Sequence, residues 1–261
     1  MKLGNPPSRY RVRIGKNERV LEVGGGSNPH PRANIVTDKF IESNYHRDDD
    51  LRLYPHQKFI AADGNQLPFE DKEFDYVFCN HVLEHVEDPQ QFVSELSRVA
   101  KRGYLETPSL IGEHLHPKES HRWVLLEIDN KVVMYEKEKI DFQLSLDFGG
   151  LFLEEFLINS FAYRIFDGTY PNLRRVMYEW KDEIEVLINP TDQYYHEYFT
   201  NWSREVTKKV LPVRGSKKEM ILASGFVLDI FKQKAKRVLS RNKPQVPTKA
   251  QLISAKSNKS V

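Results

Sequence analysis

Three glycines, Gly24, Gly25 and Gly26, directly follow the short apolar run Arg19-Val20-Leu21-Glu22-Val23. Glycine lets the backbone pass close to a ligand and adopt positive φ, so a glycine turn after a strand is a place for a ligand to approach. Two further apolar runs end in an acid: Ala33-Asn34-Ile35-Val36-Thr37 in Asp38, and Lys58-Phe59-Ile60-Ala61-Ala62 in Asp63, which precedes Gly64 and Asn65. A carboxylate at the end of the second strand can accept hydrogen bonds from both hydroxyls of a ribose. One at the end of the third can accept from the exocyclic amine of a purine, with Leu67, Pro68 and Phe69 placed to pack on the purine face. A fourth run, Phe74 to Cys79, leads into Asn80 and His81. Each acid also has a simpler role, as a cap or in a turn, and Asp63-Gly64-Asn65 reads well as a turn. Their common position at strand ends is what points to a nucleotide-like ligand.

A second group of reactive side chains lies between Glu106 and Trp123. It holds His114, His116 and His121, three of the nine histidines, with Glu106 and Glu113. An imidazole held by a carboxylate is a general base for removing a hydroxyl proton. His116 or His121 is the expected base, with Glu113 or Glu106 orienting it. The same histidines also allow a metal reading with Glu113, but their spacing matches no standard ligand motif and no metal is expected. A third possibility is a polar lid over Trp123. His85, in the short segment after the fourth run, reads as packing.

The elements that position these groups follow from patterning. Five short strands end at residues 23, 38, 63, 79 and 107, each leading into a turn or polar residue. Between the last two, Phe92, Val93, Leu96 and Val99 share one face of a helix over 89–101, with Pro89 suited to its first turn. Strands alternating with helices or loops predict an α/β fold, a Rossmann-like, doubly wound and mostly parallel sheet. Ligands of such sheets bind at the carboxyl ends of the strands, where strand order reverses. Trp123–Ile128 and Lys131–Tyr135, joined by Asp129-Asn130, read as an antiparallel hairpin. Expected divisions are a lead-in over 1–16, a ligand-binding domain over 17–139, an aromatic-rich elaboration over 140–239 on the substrate side, and a basic, disordered tail over 240–261.

Taken together, Glu22-x-Gly24-x-Gly26, Asp38, Asp63-Gly64-Asn65-x-Leu67-Pro68-Phe69, Phe74-Asp75-x-Val77 and Asn80-His81-Val82-Leu83-Glu84-His85-Val86 resemble class I methyltransferases, in particular the type 11 group. The likeness covers residues 18 to 107. It implies S-adenosylmethionine as methyl donor. By that resemblance Glu22, Gly24, Gly25 and Gly26 border its methionine and ribose parts, and Asp38 holds the ribose. Asp63, Gly64 and Asn65 face adenine, and Asn80 and His81 lie beside the methyl group. One departure is Asn28-Pro29-His30-Pro31, where a glycine often stands at residue 28 in the family. Proline at 29 also breaks the Gly-x-Gly-x-x-Gly pattern of a nicotinamide dehydrogenase. No Asn- or Asp-Pro-Pro-aromatic sequence follows the fourth strand, so base methylation of nucleic acid lacks support. The expected reaction is O-methylation of a small molecule or glycan, and the alternative is a donor-binding scaffold without transferase activity.

Composition sets outer bounds. The net charge of +2 hides an acidic body and a basic tail: nine basic residues follow Asp229, the last acid, leaving 30 basic against 37 acidic residues before it. An acidic body is a poor match for nucleic acid. The single cysteine, Cys79, excludes an internal disulfide, and no secretory apolar segment stands at Met1–Pro7, so a cytoplasmic setting is expected. Val227, Leu228, Phe231, Ala235, Val238 and Leu239 fall on one side of a basic helix over 225–241. That helix either docks on the domain or meets an anionic membrane surface, at the inner face of the membrane.

Overall fold

The computed structural model describes residues 1–39, 50–211, 213–239, 243–248 and 251–253. Its main sheet contains β1 (Lys2–Gly4), β2 (Val20–Val23), β3 (Ile35–Asp38), β4 (Lys58–Ala61), β5 (Tyr76–Asn80), β6 (Arg102–Pro108), β9 (Arg175–Lys181) and β11 (Leu252–Ile253). A smaller sheet contains β7 (Trp123–Ile128), β8 (Lys131–Glu136) and β10 (Val186–Ile188). The described helices are α1 (Pro89–Val99), α2 (Leu110–Leu115), α3 (Phe156–Asn159), α4 (Phe161–Thr169), α5 (Gln193–Thr200), α6 (Arg204–Val210) and α7 (Ser216–Leu239).

The main sheet has the order β1-β9-β6-β5-β2-β3-β4-β11. Strands β2 to β6 are all parallel, while β9 runs antiparallel to β6 and β1 antiparallel to β9. From β2 the chain builds outward through β3 and β4, then returns to add β5 and β6 on the other side. Strand order therefore reverses between β2 and β5, and the loops after these two strands open a crevice. β2 is buried at every residue, as a strand covered on both faces must be. α1 covers one face. Its N-cap Asp88 accepts a hydrogen bond from Gln91 N (2.9 Å), and Phe92, Val93, Leu96 and Val99 are all buried. They join Leu21, Val77 and Leu105 in one core, while Val20, Val36, Phe78 and Tyr104 build a second core on the opposite face.

The hairpin β7–β8 turns at Asp129 and Asn130, both at positive φ (51° and 63°), which Asp and Asn tolerate. β10 adds to β8 in parallel. α5 and α6 close the far side of this sheet through Tyr198, Phe199 and Val206.

Three findings qualify the sequence expectations. The main sheet does not end near residue 139, because β9 returns to it, and the lead-in supplies its edge strand β1. The stretch after residue 240 is not uniformly without structure: Gln245 bridges Leu53, and Leu252-Ile253 lies on β4. Two apolar residues amid polar ones suffice to extend a sheet edge, though the mean composition predicts disorder. The third concerns α7, which leaves Leu228 and Phe231 exposed and meets α4 through Phe226. Gly168 of α4 makes room for that ring, since a Cβ there would overlap it. Among the described residues no helix is long and apolar enough to cross a membrane.

Candidate active site

The crevice at the strand-order reversal is a cleft of about 350 Å³, lined by Gly24, Asp38, Asp63, Asn65, His81 and His85 among others. That volume is within the ordinary range for small-molecule sites. Its floor is backbone. Gly24 sits at φ +72°, its N–H bonded to Thr37 O (2.8 Å), and a Cβ there would overlap Val82. A Cβ on Gly64 would overlap the Phe92 ring. The positive φ and both close approaches require glycine.

Of the residues expected to hold the ligand, Gly24, Asp38, Asp63, Gly64, Asn65 and His81 line the cleft, whereas Glu22, Gly25, Gly26 and Asn80 do not. Glu22 is buried behind the loop, where it accepts from Arg9 Nη1 (2.9 Å) and from His30 N. Burial pushes its carboxyl up to about 7 against the pull of Arg9 and the His30 N–H. Asp63 is paired with Lys39 (2.7 Å) and accepts from Asn65 N (2.9 Å). Burial acts to raise Asp63, but these two donors outweigh it and hold the carboxyl below its usual range. Lys39 was not anticipated from the sequence. Asn65 Oδ1 and both side-chain polar atoms of Asn80 are buried without a hydrogen-bond partner in the structure. Leu67 and Phe69 do not reach the cleft; they pack in the α1 core, Phe69 edge-on to Phe74.

At the other end of the cleft stand histidines and carboxylates. His81 takes φ +55° directly after β5, and its N–H donates to Glu106 O (2.8 Å). Its ring lies between Glu84 (3.3 Å) and Glu106 (3.6 Å). Burial opposes its charge, yet Glu106 and Glu84 lift its pKa to about 9. Burial likewise works against ionised Glu106, but His81 and Arg175 hold it down to about 2. The turn Leu83–His85 presents Glu84 and His85, and is tied to the start of β7 by Arg122 N to Glu84 O (2.9 Å) and Trp123 Nε1 to Val86 O (2.7 Å).

His121 and Glu113 do meet: Nδ1 is 2.5 Å from Oε2, and both side chains are buried. Lys137 Nζ (2.6 Å) and Lys118 N (3.0 Å) donate to the other oxygen of Glu113. Burial would raise this carboxyl, but His121, Lys137 and the Lys118 N–H lower it. His116 is elsewhere, paired with Asp147 (2.8 Å), and His114 stacks on Phe142. The three histidines of this segment therefore do not converge, and His121 instead lies edge-on to His85 with ring centroids 4.7 Å apart. The sequence signal for His85 was its place in Asn80–Val86, five residues after a strand end; reading it as packing missed its position on the cleft wall.

A larger cleft of about 700 Å³ opens between β9 and α7, near Arg11, Arg175 and Arg214. It holds none of the expected site residues, and the chemistry-bearing groups gather in the smaller one.

Residues 36–105 match the family model of a methyltransferase domain. Over those residues the chain is similar to the methyltransferase domains of the type 11 group. It is similar to the demethylmenaquinone methyltransferase of Renibacterium salmoninarum, 32% identical over 104 residues, covering 38% of this chain and 43% of that protein. It is also similar to norajmaline N-methyltransferase of Rauvolfia serpentina, 34% identical over 76 residues, covering 29% of this chain and 25% of that one. The chain spans less than half the length of the curated relatives it matches. Among solved structures, the YcgJ protein from Bacillus subtilis aligns at 23% identity with a TM-score of 0.30, over 40% of this chain and 54% of that one.

S-adenosylmethionine is the methyl donor that the resemblance implies, and the cleft residues fit it. Gly24 and Gly64 line the cleft with backbone packed too closely on Val82 and Phe92 for a side chain, and Asp38 ends β3 at the cleft wall. Asn65, on the cleft wall, supplies a buried Oδ1 without a protein partner in the structure. The cleft thus has Asp38, Asp63 and Asn65 at one end and a histidine-carboxylate group at the other.

Proposed function

We propose that this protein transfers a methyl group from S-adenosylmethionine to a hydroxyl oxygen of a small molecule or glycan. The observation that carries this reading is the cleft itself, with Asp38 at one end and His81, His85 and their carboxylates at the other. S-adenosylmethionine supplies a methyl group on a sulfonium, transferred by in-line displacement. The chain's residues then have two tasks. Gly24, Asp38, Asp63 and Asn65 hold and orient the donor, which lowers the entropic part of the barrier. His81 lies beside the acceptor end between two carboxylates, and the His85–His121 group with Glu113 stands where the acceptor hydroxyl loses its proton. In this division 17–139 holds the donor and 140–239 shapes the acceptor side. An amine needs less help of this kind once deprotonated, and the histidine-carboxylate group is therefore the support for oxygen.

The test is calorimetric titration with S-adenosylhomocysteine, wild type beside Asp38→Ala. Loss of a charge-assisted pair of hydrogen bonds should weaken binding by about 10- to 100-fold. A folded wild type that does not bind would overturn the reading. With binding in hand, sugar and small-molecule hydroxyls are compared with amines as acceptors; turnover confined to amines would overturn the assignment to oxygen.

A further inference from the structure

Glu84 pairs with His81, but that pairing does not account for both of its carboxylate oxygens. It is 1% exposed, and neither carboxylate oxygen accepts a hydrogen bond in the structure. Leaving a buried carboxylate in this state is costly unless a positive charge stands against it. His81 Nδ1 is 3.3 Å away, but that ring is shared with Glu106. One ligating atom each from Glu84, His85 and His121 lie within 4.8 Å of one another.

The two imidazoles are already oriented from behind. His85 Nδ1 is 2.9 Å from Ser120 O, and a carbonyl only accepts, so the hydrogen is on Nδ1. His121 Nδ1 donates to Glu113 Oε2 at 2.5 Å. Nε2 of each ring is thereby the lone-pair atom. A histidine that donates Nδ1–H to a carbonyl or carboxylate while its other nitrogen ligates is the usual outer support of a metal ligand. Glu113, held in turn by Lys137 and Lys118 N, is such a support for His121.

We infer that Glu84, His85 and His121 form a binding site for a divalent transition-metal cation of the zinc(II) kind, at the acceptor end of the cleft. Two histidines and one carboxylate are a donor set that zinc accepts with a coordination position left open. Ligand distances of about 2.0–2.2 Å require the three atoms to close toward one another. His85 also lines the cleft, so the open position faces the space beside it. This inference rests on the methyl-transfer reading for its role: the acceptor hydroxyl ligates the ion, which lowers its pKa. The oxygen releases its proton to solvent and forms the new O–CH3 bond, while the S–CH3 bond breaks with its electron pair left on sulfur. The site thereby selects hydroxyl acceptors able to ligate a metal.

The experiment uses full-length protein freed of metal by chelator. It is titrated with Zn2+ by calorimetry and with Co2+ by visible absorption, and with S-adenosylhomocysteine in parallel. One equivalent of Zn2+ should bind, Co2+ should give the intense d–d bands of a low-coordinate site, and Glu84→Gln should weaken both at least 100-fold. His85→Asn should do the same, and carries the test should Glu84→Gln fail to fold. His56→Ala, which removes an exposed histidine, should leave the stoichiometry unchanged. S-adenosylhomocysteine affinity should change less than threefold in both site variants. Absence of stoichiometric metal with S-adenosylhomocysteine binding intact overturns the metal site and leaves the donor reading standing. Metal binding unaltered in both variants overturns it too, since the ion then sits elsewhere. Stoichiometric metal, lost in the variants, without any S-adenosylhomocysteine binding supports the site and sinks the methyl-transfer role.

Discussion

The half of the molecule built from β2 to β6 differs from the part after residue 140 in how its helices are covered. α1 buries its whole apolar stripe against the sheet. In the later part, Leu146, Ile158, Phe166, Met220, Leu228 and Phe231 are all exposed. The first region is layered: each helix has one broad partner, and a periodic stripe is the natural solution. The second is assembled from small contacts, such as Phe226 over Gly168, that use single residues and not stripes. Precision follows the same division. The donor end of the cleft is fixed by backbone and by buried strands, whereas the surface beyond residue 140 is fixed by few points.

The largest effect expected from this comparison is at Gly24. Gly24→Val places a β-branched residue at φ +72° and against Val82. Strain and overlap together cost roughly 4 kcal/mol, which is about a thousandfold in affinity for S-adenosylhomocysteine by calorimetry. A loss below tenfold would break the claim that backbone, not side chains, shapes the donor end.

Next come paired apolar truncations. Leu96→Ala in α1 should lower unfolding free energy by about 2–5 kcal/mol in urea, because the cavity opens in a core that cannot collapse. Leu228→Ser in α7 should change it by no more than about 0.5 kcal/mol, as for other exposed positions. Similar losses at both would show that the later part shares the first part's core, and the contrast drawn above would fall.

The first region was legible because each signal there is local. The strand ends at Val23, Asp38 and Cys79 and the stripe of α1 follow from periodicity, and the pairing of β7 with β8 follows from Asp129-Asn130 between two apolar runs. Pairings of distant segments were not legible. Nothing near Lys2 announces that β1 will lie on β9, and nothing near Leu252 that it will lie on β4, because a short edge strand carries no periodic pattern of its own. The candidate site divides in the same way. Positions at strand ends were readable, and six of the expected residues line the cleft. The pairing of His121 with Glu113 was among the options offered. The approach of His121 to His85 was not readable, since it joins the turn after β5 to the segment before β7.

The departure at Asn28-Pro29-His30-Pro31 gives a last and smaller test inside the first region. With no glycine to continue the loop, His30 turns inward and stacks between Tyr10 (centroids 5.2 Å) and Phe78 (4.1 Å), while Arg32 N donates to its Nδ1 (3.2 Å). Burial, with Arg9 and Arg32 near, pushes its pKa down to about 3. The unfolded chain protonates this ring near its ordinary value of about 6.5, so the unfolded state binds the extra proton first. The stability from His30 is therefore complete above about pH 6.5 and falls as pH drops from there toward 3. For one proton the slope reaches roughly 1.4 kcal/mol per pH unit. Urea unfolding at pH 7.5, 6 and 5 should show this slope in wild type and a shallower one in His30→Gln, whose amide does not titrate. Equal slopes would mean that the ring accepts a proton in place, and that the turn after the glycine loop is looser than the strands on either side of it.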